Sequence, residues 1–350
     1  MKNEQFLFKM LKTPSPSGYE LEIQKLIIEE MKPFVDKVYT HHNYNVVNAI
    51  NTESKMKVLL AGHVDEIGLV INDIKADGTC RVTRTGGIRT YMYTGQHVEV
   101  IVKRDGVISK VPGIFGYLPN MDKNEVKVSD LILDLGTTSK AETEKLVAIG
   151  DPVIHMNDYV MLANNRLSAR ALDDRLGAFI CLEAMKKVKE RGSKIGVYAS
   201  STVGEETTGR GAKAAAYQIK PTCSISVDVA YATDLPYREN LNGDLALGKG
   251  PILTIGSEMN SIMHERMIKA AKKLNMAVQM EVSPSRTFTD TDDIYHSEGG
   301  IPSYLISIPL RYMHSSVELC DLKDVEDIID LIAEFICDLE EDTNFNPFNE

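Results

Sequence analysis

The chain has 350 residues, of which 43% are hydrophobic and 25% are charged, a balance typical of soluble globular proteins with one large or two ordinary domains. Its net charge of −11 argues against nucleic acid as a partner, because phosphates attract basic surfaces. The apolar runs are too short to span a bilayer, and the N-terminus lacks the apolar stretch of about 7–15 residues that a signal peptide needs, so we expect no membrane partner and a cytoplasmic location.

The chain begins with helical patterns that lead into a buried strand. Apolar residues recur at helical spacing between about residues 3 and 37, and the segment PSPSGYE interrupts them. Within that segment Ser17 is a candidate helix cap, with Glu20 three positions further on. The apolar run 57–61 (KVLLA) predicts a strand, and His63 is therefore expected at its carboxyl end.

A change in the pattern of residue types marks residues 67–159 as an inserted domain. Short β-branched stretches such as CRVTRTG, HVEVIVK and GVISKVPG alternate there with Gly, Asp-Gly and Pro. This pattern predicts an all-β, barrel-like unit. Residues 1–66 and 160–350 are then expected to form one discontinuous catalytic domain.

Strands and helices alternate after the insert. Helical spacing runs from Asp174 to Lys189, from Ser261 to Leu274 and from Val325 to Leu339, and apolar segments such as KIGVYASSTV, CSISVDVA and SYLISIP separate these helices. The alternation predicts an α/β fold with a mixed sheet flanked by helices. The acidic C-terminal segment is expected to be solvated and frayed beyond Asp342.

Acidic and histidine side chains follow the predicted strands or open the helix after the insert. Ligands of α/β proteins bind at the carboxyl ends of the strands. Two adjacent carboxylates repel each other, so the Glu-Glu pair at this edge requires a cation or a proton. A mixture of imidazole and carboxylate ligands suits zinc, cobalt or manganese. The candidate residues are His63, Asp173, Glu205, Glu206, Asp228 and His314.

Each candidate also has a purely structural explanation. Asp173 and Asp174 can cap a helix, Asp228 can form an Asx-turn, and the glutamate pair can lie in a solvated turn. His63 can be a satisfied polar residue at the end of a strand, and His314 can be a hydrogen-bond donor in a loop. Their joint placement at one edge of the sheet favours a metal centre over these separate explanations.

The spacing within two of the motifs suggests further roles. In the His-x-Asp arrangement of His63 and Asp65, the aspartate can accept a hydrogen bond from the imidazole nitrogen that faces away from a metal. Of Glu205 and Glu206, one carboxylate is expected to bind metal and the other to take a proton from metal-bound water.

Six motifs carry a family resemblance: AGHVDEIGLVI, ALDDRLGA, VGEETTGRGA, SVDVA, GKGP and GGIPSYLISIPLRYMHSSVE. They resemble the motifs of the glutamyl and deblocking aminopeptidases of metallopeptidase clan MH, a family that includes the tetrahedral aminopeptidases and some members labelled endoglucanase. The resemblance covers nearly the whole chain, in order and spacing. It implies a phosphorylase/hydrolase-like fold and a homo-oligomer, either a dimer or a tetrahedral dodecamer, with the insert mediating assembly.

The resemblance also implies a dinuclear centre with two divalent metal ions, zinc or cobalt. By this comparison His63 and Asp228 bind one ion, and Glu206 and His314 bind the other. Asp173 bridges the two ions.

Further roles follow from the same resemblance. Glu205 is the general base that activates the bridging water, giving a metal-bound hydroxide, and later protonates the leaving amine, and Asp65 supports the first histidine. The peptide bond between Asp173 and Asp174 is expected to be cis. The sequence departs from the family pattern at Phe288, where relatives usually carry glycine.

The leading functional hypothesis is therefore a metal-dependent aminopeptidase that hydrolyses the N-terminal residue of peptides. An endoglucanase-type glycoside hydrolase is an alternative, since paired carboxylates also suit that reaction, although the chain has no tryptophan to stack on sugars. A noncatalytic scaffold is a further alternative. Residue preference stays open, because Arg311 can either contact an acidic substrate side chain or form a structural ion pair.

Overall fold

The computed structural model describes residues 3–117, 125–236 and 243–348. Its strands are β1 (Lys37–Thr40), β2 (Val46–Ile50), β3 (Lys57–His63), β4 (Gly68–Ile74), β5 (Cys80–Thr85), β6 (Gln96–Arg104), β7 (Val107–Phe115), β8 (Ile132–Asp134), β9 (Pro152–His155), β10 (Val160–Leu162), β11 (Arg166–Ala169), β12 (Gly196–Thr202), β13 (Cys223–Tyr231), β14 (Ile252–Gly256), β15 (Gln279–Ser283), β16 (Ser303–Leu310) and β17 (Glu318–Asp321). Its α-helices are α1 (Glu4–Lys12), α2 (Leu21–Met31), α3 (Lys140–Leu146), α4 (Leu172–Glu190), α5 (Arg210–Ile219), α6 (Ser261–Lys273), α7 (Asp290–Tyr295) and α8 (Leu322–Cys337).

An eight-stranded mixed sheet forms the centre of the molecule, in the order β1-β2-β12-β3-β13-β16-β14-β15. Strands β12, β3, β13 and β16 are parallel neighbours, so their carboxyl ends lie at one edge. Strand β3 is buried on both faces, because Val58 and Leu60 pack in the core that includes α4, whereas Leu59 and Ala61 pack in the core that includes α5. The predicted α/β sheet flanked by helices is confirmed.

Strands β4 to β9 close an antiparallel barrel in the order β4-β5-β8-β7-β6-β9. Its interior is a separate apolar cluster that includes Leu69, Val100 and Phe115. The predicted barrel-like insert is thus present between Gly68 and His155, while the domain limits at 66/67 and 159/160 stay a prediction. A second small sheet joins β10, β11 and β17. Among the described helices, none has both the length and the apolar character needed to cross a membrane.

Two local predictions were wrong. Ser17 does not cap α2, because Glu20 occupies the N-cap position and the Ser17 hydroxyl donates instead to Asp65 Oδ2 at 2.5 Å. The C-terminal segment packs further than expected, since Phe345 is buried against the main core and its carbonyl accepts a hydrogen bond from Asn260 Nδ2. In both cases a distant partner in the fold replaced the local solution that the sequence suggested.

Candidate metal centre

The parallel strands deliver the predicted side chains to one edge of the sheet. His63 is the last residue of β3, and Asp228 lies near the end of β13. Glu205 and Glu206 follow β12, and His314 follows β16. The expectation that these residues lie at the carboxyl ends of the strands is confirmed.

Two glycines allow helix α4 to begin directly against this edge. A Cβ atom at Gly62 would lie 2.4 Å from the backbone nitrogen of Ala178, and a Cβ atom at Gly177 would lie 2.5 Å from the backbone oxygen of Val227. Glycine at these positions is therefore required for the close approach of α4 to β3 and β13. The approach brings Asp173, at the start of α4, next to His63.

Asp173 lies between the two imidazoles. Its Oδ1 is 3.2 Å from His63 Nε2, and its Oδ2 is 3.3 Å from His314 Nε2. The peptide bond between Asp173 and Asp174 is cis, as the family resemblance implied. One carboxylate that faces two imidazoles from its two oxygens has the arrangement of a bridging ligand.

The adjacent glutamates face different histidines. Glu205 Oε2 lies 3.7 Å from His63 Nε2, whereas Glu206 Oε1 lies 3.6 Å from His314 Nε2. The described residues include two groups of possible ligands, and within each group the ligand atoms lie within 4.8 Å of one another. His63 belongs to both groups. The first group adds Asp174 and Asp228, and the second adds Asp173 and Glu206.

Asp65 connects the first histidine to the Glu205 segment. His63 Nδ1 lies 3.1 Å from the backbone oxygen of Asp65 and 3.5 Å from its Oδ1. The same Oδ1 accepts a hydrogen bond from the backbone nitrogen of Glu205 at 3.1 Å. Asp65 therefore contacts both His63 and the segment of the candidate base.

The carboxylates of the cluster are strongly perturbed. Burial and the charges of neighbouring carboxylates raise the pKa of Glu205 to about 10 and that of Glu206 to about 8. Burial and the charge of Asp173 also raise the pKa of Asp228 well above its usual range. Although burial acts in the opposite direction, hydrogen bonds from the two imidazoles lower the pKa of Asp173. The cluster thus holds more acidic groups than its imidazoles can neutralise.

This donor set fits divalent metal ions. Buried carboxylates become compatible with one another when a cation lies between them. Imidazole nitrogens and carboxylate oxygens together are ligands for zinc and for similar transition metals. The residues present therefore suit the metal centre that the sequence predicted.

Sequence reasoning missed a supporting carboxylate, Glu318. Its Oε1 accepts a hydrogen bond from the backbone nitrogen of His314 at 2.8 Å, and its Oε2 accepts one from the backbone nitrogen of Asp173 at 3.2 Å. The backbone oxygen of Gly87 lies 3.0 Å from His314 Nδ1. The carboxylate of Asp174 accepts a hydrogen bond from the backbone nitrogen of His63 at 3.1 Å. The Glu318 position could have been noted four residues after His314, but the backbone oxygen of Gly87 carries no sequence signal.

A cleft of about 710 Å³ opens beside the cluster, and Asp173, Glu205, Glu206 and Asp228 form part of its wall.

Arg311 forms a bidentate ion pair with Asp234, at 2.8 and 2.7 Å. The open alternative for Arg311 is thereby decided in favour of a structural ion pair.

The rim of the same cleft carries Phe288, which is 76% exposed. Its φ of 57° lies in the left-handed region. That conformation favours glycine, so Phe288 holds a backbone conformation that residues with a side chain rarely adopt.

Comparison with known proteins gives the family. The family model of the M42 glutamyl aminopeptidases matches residues 45–331. The chain is 32% identical to the lysyl aminopeptidase of Pyrococcus furiosus over 342 residues, which cover 95% of this chain and 96% of the relative.

Solved structures agree with this match. A TET aminopeptidase from the marine sediment archaeon Thaumarchaeota archaeon SCGC AB-539-E09 superposes with a TM-score of 0.90, at 31% identity and 97% coverage of both chains. The TET1 peptidase of Pyrococcus horikoshii, which can assemble into a tetrahedron or a large octahedral shell, superposes with a TM-score of 0.85, at 29% identity and coverage of 96% of this chain and 99% of that one. The chain belongs to the M42 glutamyl aminopeptidase family and is a peptidase.

Proposed function

We propose that this peptidase is a metal-dependent aminopeptidase that removes the N-terminal residue of peptides through a dinuclear centre. The observation that carries the proposal is the position of Asp173, with one oxygen 3.2 Å from His63 and the other 3.3 Å from His314. Two imidazoles on opposite oxygens of one buried carboxylate support two cation sites that share a bridging ligand.

The residues for each site follow from their neighbours. His63 and Asp228, which belong to one group of ligand atoms, would hold one ion. Glu206 and His314, whose nearest atoms are 3.6 Å apart, would hold the other, and Asp173 would contact both. Divalent ions such as zinc or cobalt supply Lewis acidity, which polarises a carbonyl and lowers the pKa of water.

Glu205 is the proposed general acid and base. Its carboxylate lines the open cleft, and its backbone is held by Asp65. In this role Glu205 accepts a proton from the attacking water and returns it to the amine of the leaving peptide. The acidic wall of the cleft also favours a peptide that presents a positively charged amino terminus.

We further propose that the chain forms a homo-oligomer, a dimer or a tetrahedral dodecamer, with residues 67–159 contributing to assembly. The tetrahedral assembly of the TET1 relative supports this proposal. Exposed apolar side chains support it too, because contiguous exposed apolar surface marks interaction sites. They are Ile149 and Met156 in the insert, and Val160, Met161 and Leu162 in the adjoining strand β10. A cytoplasmic location stays a prediction.

Chelation tests the proposed activity. The purified protein is assayed on leucyl-, glutamyl- and lysyl-p-nitroanilide before and after EDTA treatment, and again after zinc or cobalt is added. We expect activity that EDTA abolishes and that added metal restores. Lack of hydrolysis with every metal would contradict the proposal, and chelator-resistant release of reducing sugar from carboxymethyl-cellulose would support a glycoside hydrolase instead.

A further inference from the structure

One acidic residue of the cleft, Glu281, belongs neither to the candidate metal centre nor to any motif of the sequence analysis. It lies in the edge strand β15, where Gln279, Glu281 and Ser283 are half-buried and the alternating residues Met280 and Val282 are exposed. Glu281 lines the same cleft as Glu205 and Asp228. It therefore lies on the wall that a substrate bound at the metal centre would face.

The basic residues described in this cleft are already paired. Lys213 Nζ lies 3.0 Å from Asp293 Oδ1, and Arg286 Nε lies 3.1 Å from Asp292 Oδ2. Asp293 lines the cleft together with Lys213, so this pair adds little net charge to the wall. Each of these cations therefore already has a carboxylate beside it, which reduces its attraction for an acidic substrate side chain.

Glu281, by contrast, makes no ion pair or hydrogen bond with another residue in the described part of the chain. Burial raises its pKa, and no neighbouring charge contributes to that shift. A desolvated carboxylate of this kind is costly unless a cation or a donor reaches it. Apolar residues of the same cleft, Val229, Ala230 and Met313, offer surface to the methylene stem of a long side chain.

We propose that Glu281 determines the specificity of the cleft and selects peptides whose N-terminal residue is lysine or arginine. The side-chain cation of that residue would pair with the Glu281 carboxylate while its stem packs on the apolar wall. A glutamyl substrate would instead place a second carboxylate beside Glu281, so the same residue acts against it. This inference rests on the proposed aminopeptidase function. Family membership does not decide it, because the family is named for glutamate and one relative for lysine.

Kinetics with matched substrates test the proposal. The metal-loaded wild type, Glu281→Gln and the control Glu265→Gln, a substitution on the exposed face of α6, are assayed on lysyl-, arginyl-, norleucyl- and glutamyl-p-nitroanilide. For the wild type we expect the highest kcat/KM on lysine and arginine and the lowest on glutamate. The ratio of kcat/KM for lysine to that for norleucine should fall on the order of 10- to 100-fold in Glu281→Gln, and it should not change in Glu265→Gln.

The change in the lysine-to-norleucine ratio of kcat/KM distinguishes specificity from a general structural effect, because a misfolded variant loses activity on both substrates equally. A wild type that prefers glutamate, or a Glu281→Gln variant that keeps the full lysine preference, would overturn the proposal. Hydrolysis of leucine and norleucine substrates with no preference for lysine would overturn this inference alone and leave the proposed function standing.

A binding measurement keeps the proposal testable if the enzyme does not turn over these substrates. Calorimetric titration compares L-lysinol with L-norleucinol, which differ at the side-chain terminus by the ammonium group. Tighter binding of lysinol to the wild type, lost in Glu281→Gln, supports the site even without catalysis. Equal affinity for the two amino alcohols contradicts it.

Discussion

At the scale of single residues, the two adjacent glutamates can both lie in the cluster because the turn after β12 points their side chains at different histidines. Glu205 approaches His63, and Glu206 approaches His314. Burial raises the pKa of both carboxylates, and repulsion by nearby carboxylates adds to it, mainly from Asp228 for Glu205 and from Asp173 for Glu206. A cation beside Glu206 would relieve that repulsion and leave Glu205 as the group that exchanges a proton.

Substituting each glutamate separately tests this division of roles. We expect Glu205→Gln to bind metal as the wild type does and to lose about 10²–10⁴-fold in kcat, the usual contribution of a general acid or base. Glu206→Gln should instead bind less metal. Metal content by mass spectrometry and kcat on leucyl-p-nitroanilide give the two readouts. A metal-loaded Glu205→Gln with wild-type turnover would disprove the role of Glu205.

Glu318 differs from the candidate ligands, since its carboxylate accepts hydrogen bonds from the backbone. It holds the backbones of His314 and Asp173, which lie 141 positions apart in the sequence, through its two carboxylate oxygens. We therefore propose it as a positioning residue for the candidate metal centre.

In Glu318→Gln one of the two oxygens becomes an amide nitrogen, which cannot accept the second hydrogen bond. We expect zinc affinity to fall about 10- to 100-fold, as is typical when a group that orients a ligand is removed. Competition with a chelating dye measures the affinity, and excess zinc should restore part of the activity. The exposed Glu340→Gln is the control, and equal zinc affinity in all three proteins would contradict the assignment.

At the scale of elements, the parallel strands explain how residues distant in sequence form one site. Because β12, β3, β13 and β16 share a direction, the segments that follow them emerge on the same side.

Strand β9 of the barrel ends close to this site at His155, which stacks on Tyr93 with ring centroids 4.1 Å apart. Burial and the charge of Arg170 lower the pKa of His155 to about 4.

This lowered pKa predicts an acid sensitivity of the fold. His155 is neutral in the folded state, so its contribution to stability is complete above pH 6.5. Between pH 6.5 and pH 4 the unfolded chain binds a proton that the folded chain does not, and the free energy of unfolding falls by on the order of 3 kcal/mol.

His155→Phe keeps the ring stack and removes the titration. The Nδ1 atom has no hydrogen-bond partner among the described residues, so this change breaks no contact there. Urea unfolding at pH 7 and pH 4.5 should show a smaller loss of stability in the variant than in the wild type, whereas the exposed control His42→Gln should match the wild type. Equal losses in His155→Phe and wild type would refute the prediction.

At the scale of the whole molecule, the barrel and the sheet have separate apolar cores but share the site. The carbonyl of Gly87, from the segment after β5, contacts His314, and Tyr19 donates to the carbonyl of Gly150 at 3.0 Å. The barrel therefore contributes directly to the position of a candidate ligand.

Sedimentation velocity tests the proposed assembly. With a chain mass of 38.9 kDa, we expect a species of twice or twelve times that mass. Replacing exposed Met161 by Glu should weaken the assembly, because a charge in an apolar contact must be desolvated. Replacing exposed Glu265 by Gln serves as the control. A wild type that sediments as a single chain at micromolar concentration would rule out the oligomer.

Much of the fold and the candidate site could be predicted because periodicity and residue type are local properties. The strand 57–61, the β texture of the insert and the helix after Asp173 all followed from local patterns. The candidate ligands were found because histidines and acids interrupt apolar runs at strand ends, where no core packing requires them.

Only the tertiary structure decided the pairings between these segments. The two oxygens of Asp173 face different histidines. Glu318 accepts a hydrogen bond from the backbone of His314, and Ser17 donates to Asp65 instead of capping a helix. The tertiary structure also placed Glu281 in the cleft and paired Arg311 with Asp234. These contacts depend on sheet register, helix approach and loop path, which join residues far apart in the chain. The sequence by itself determined which chemical groups stand at the strand ends, and the fold decided which of them meet.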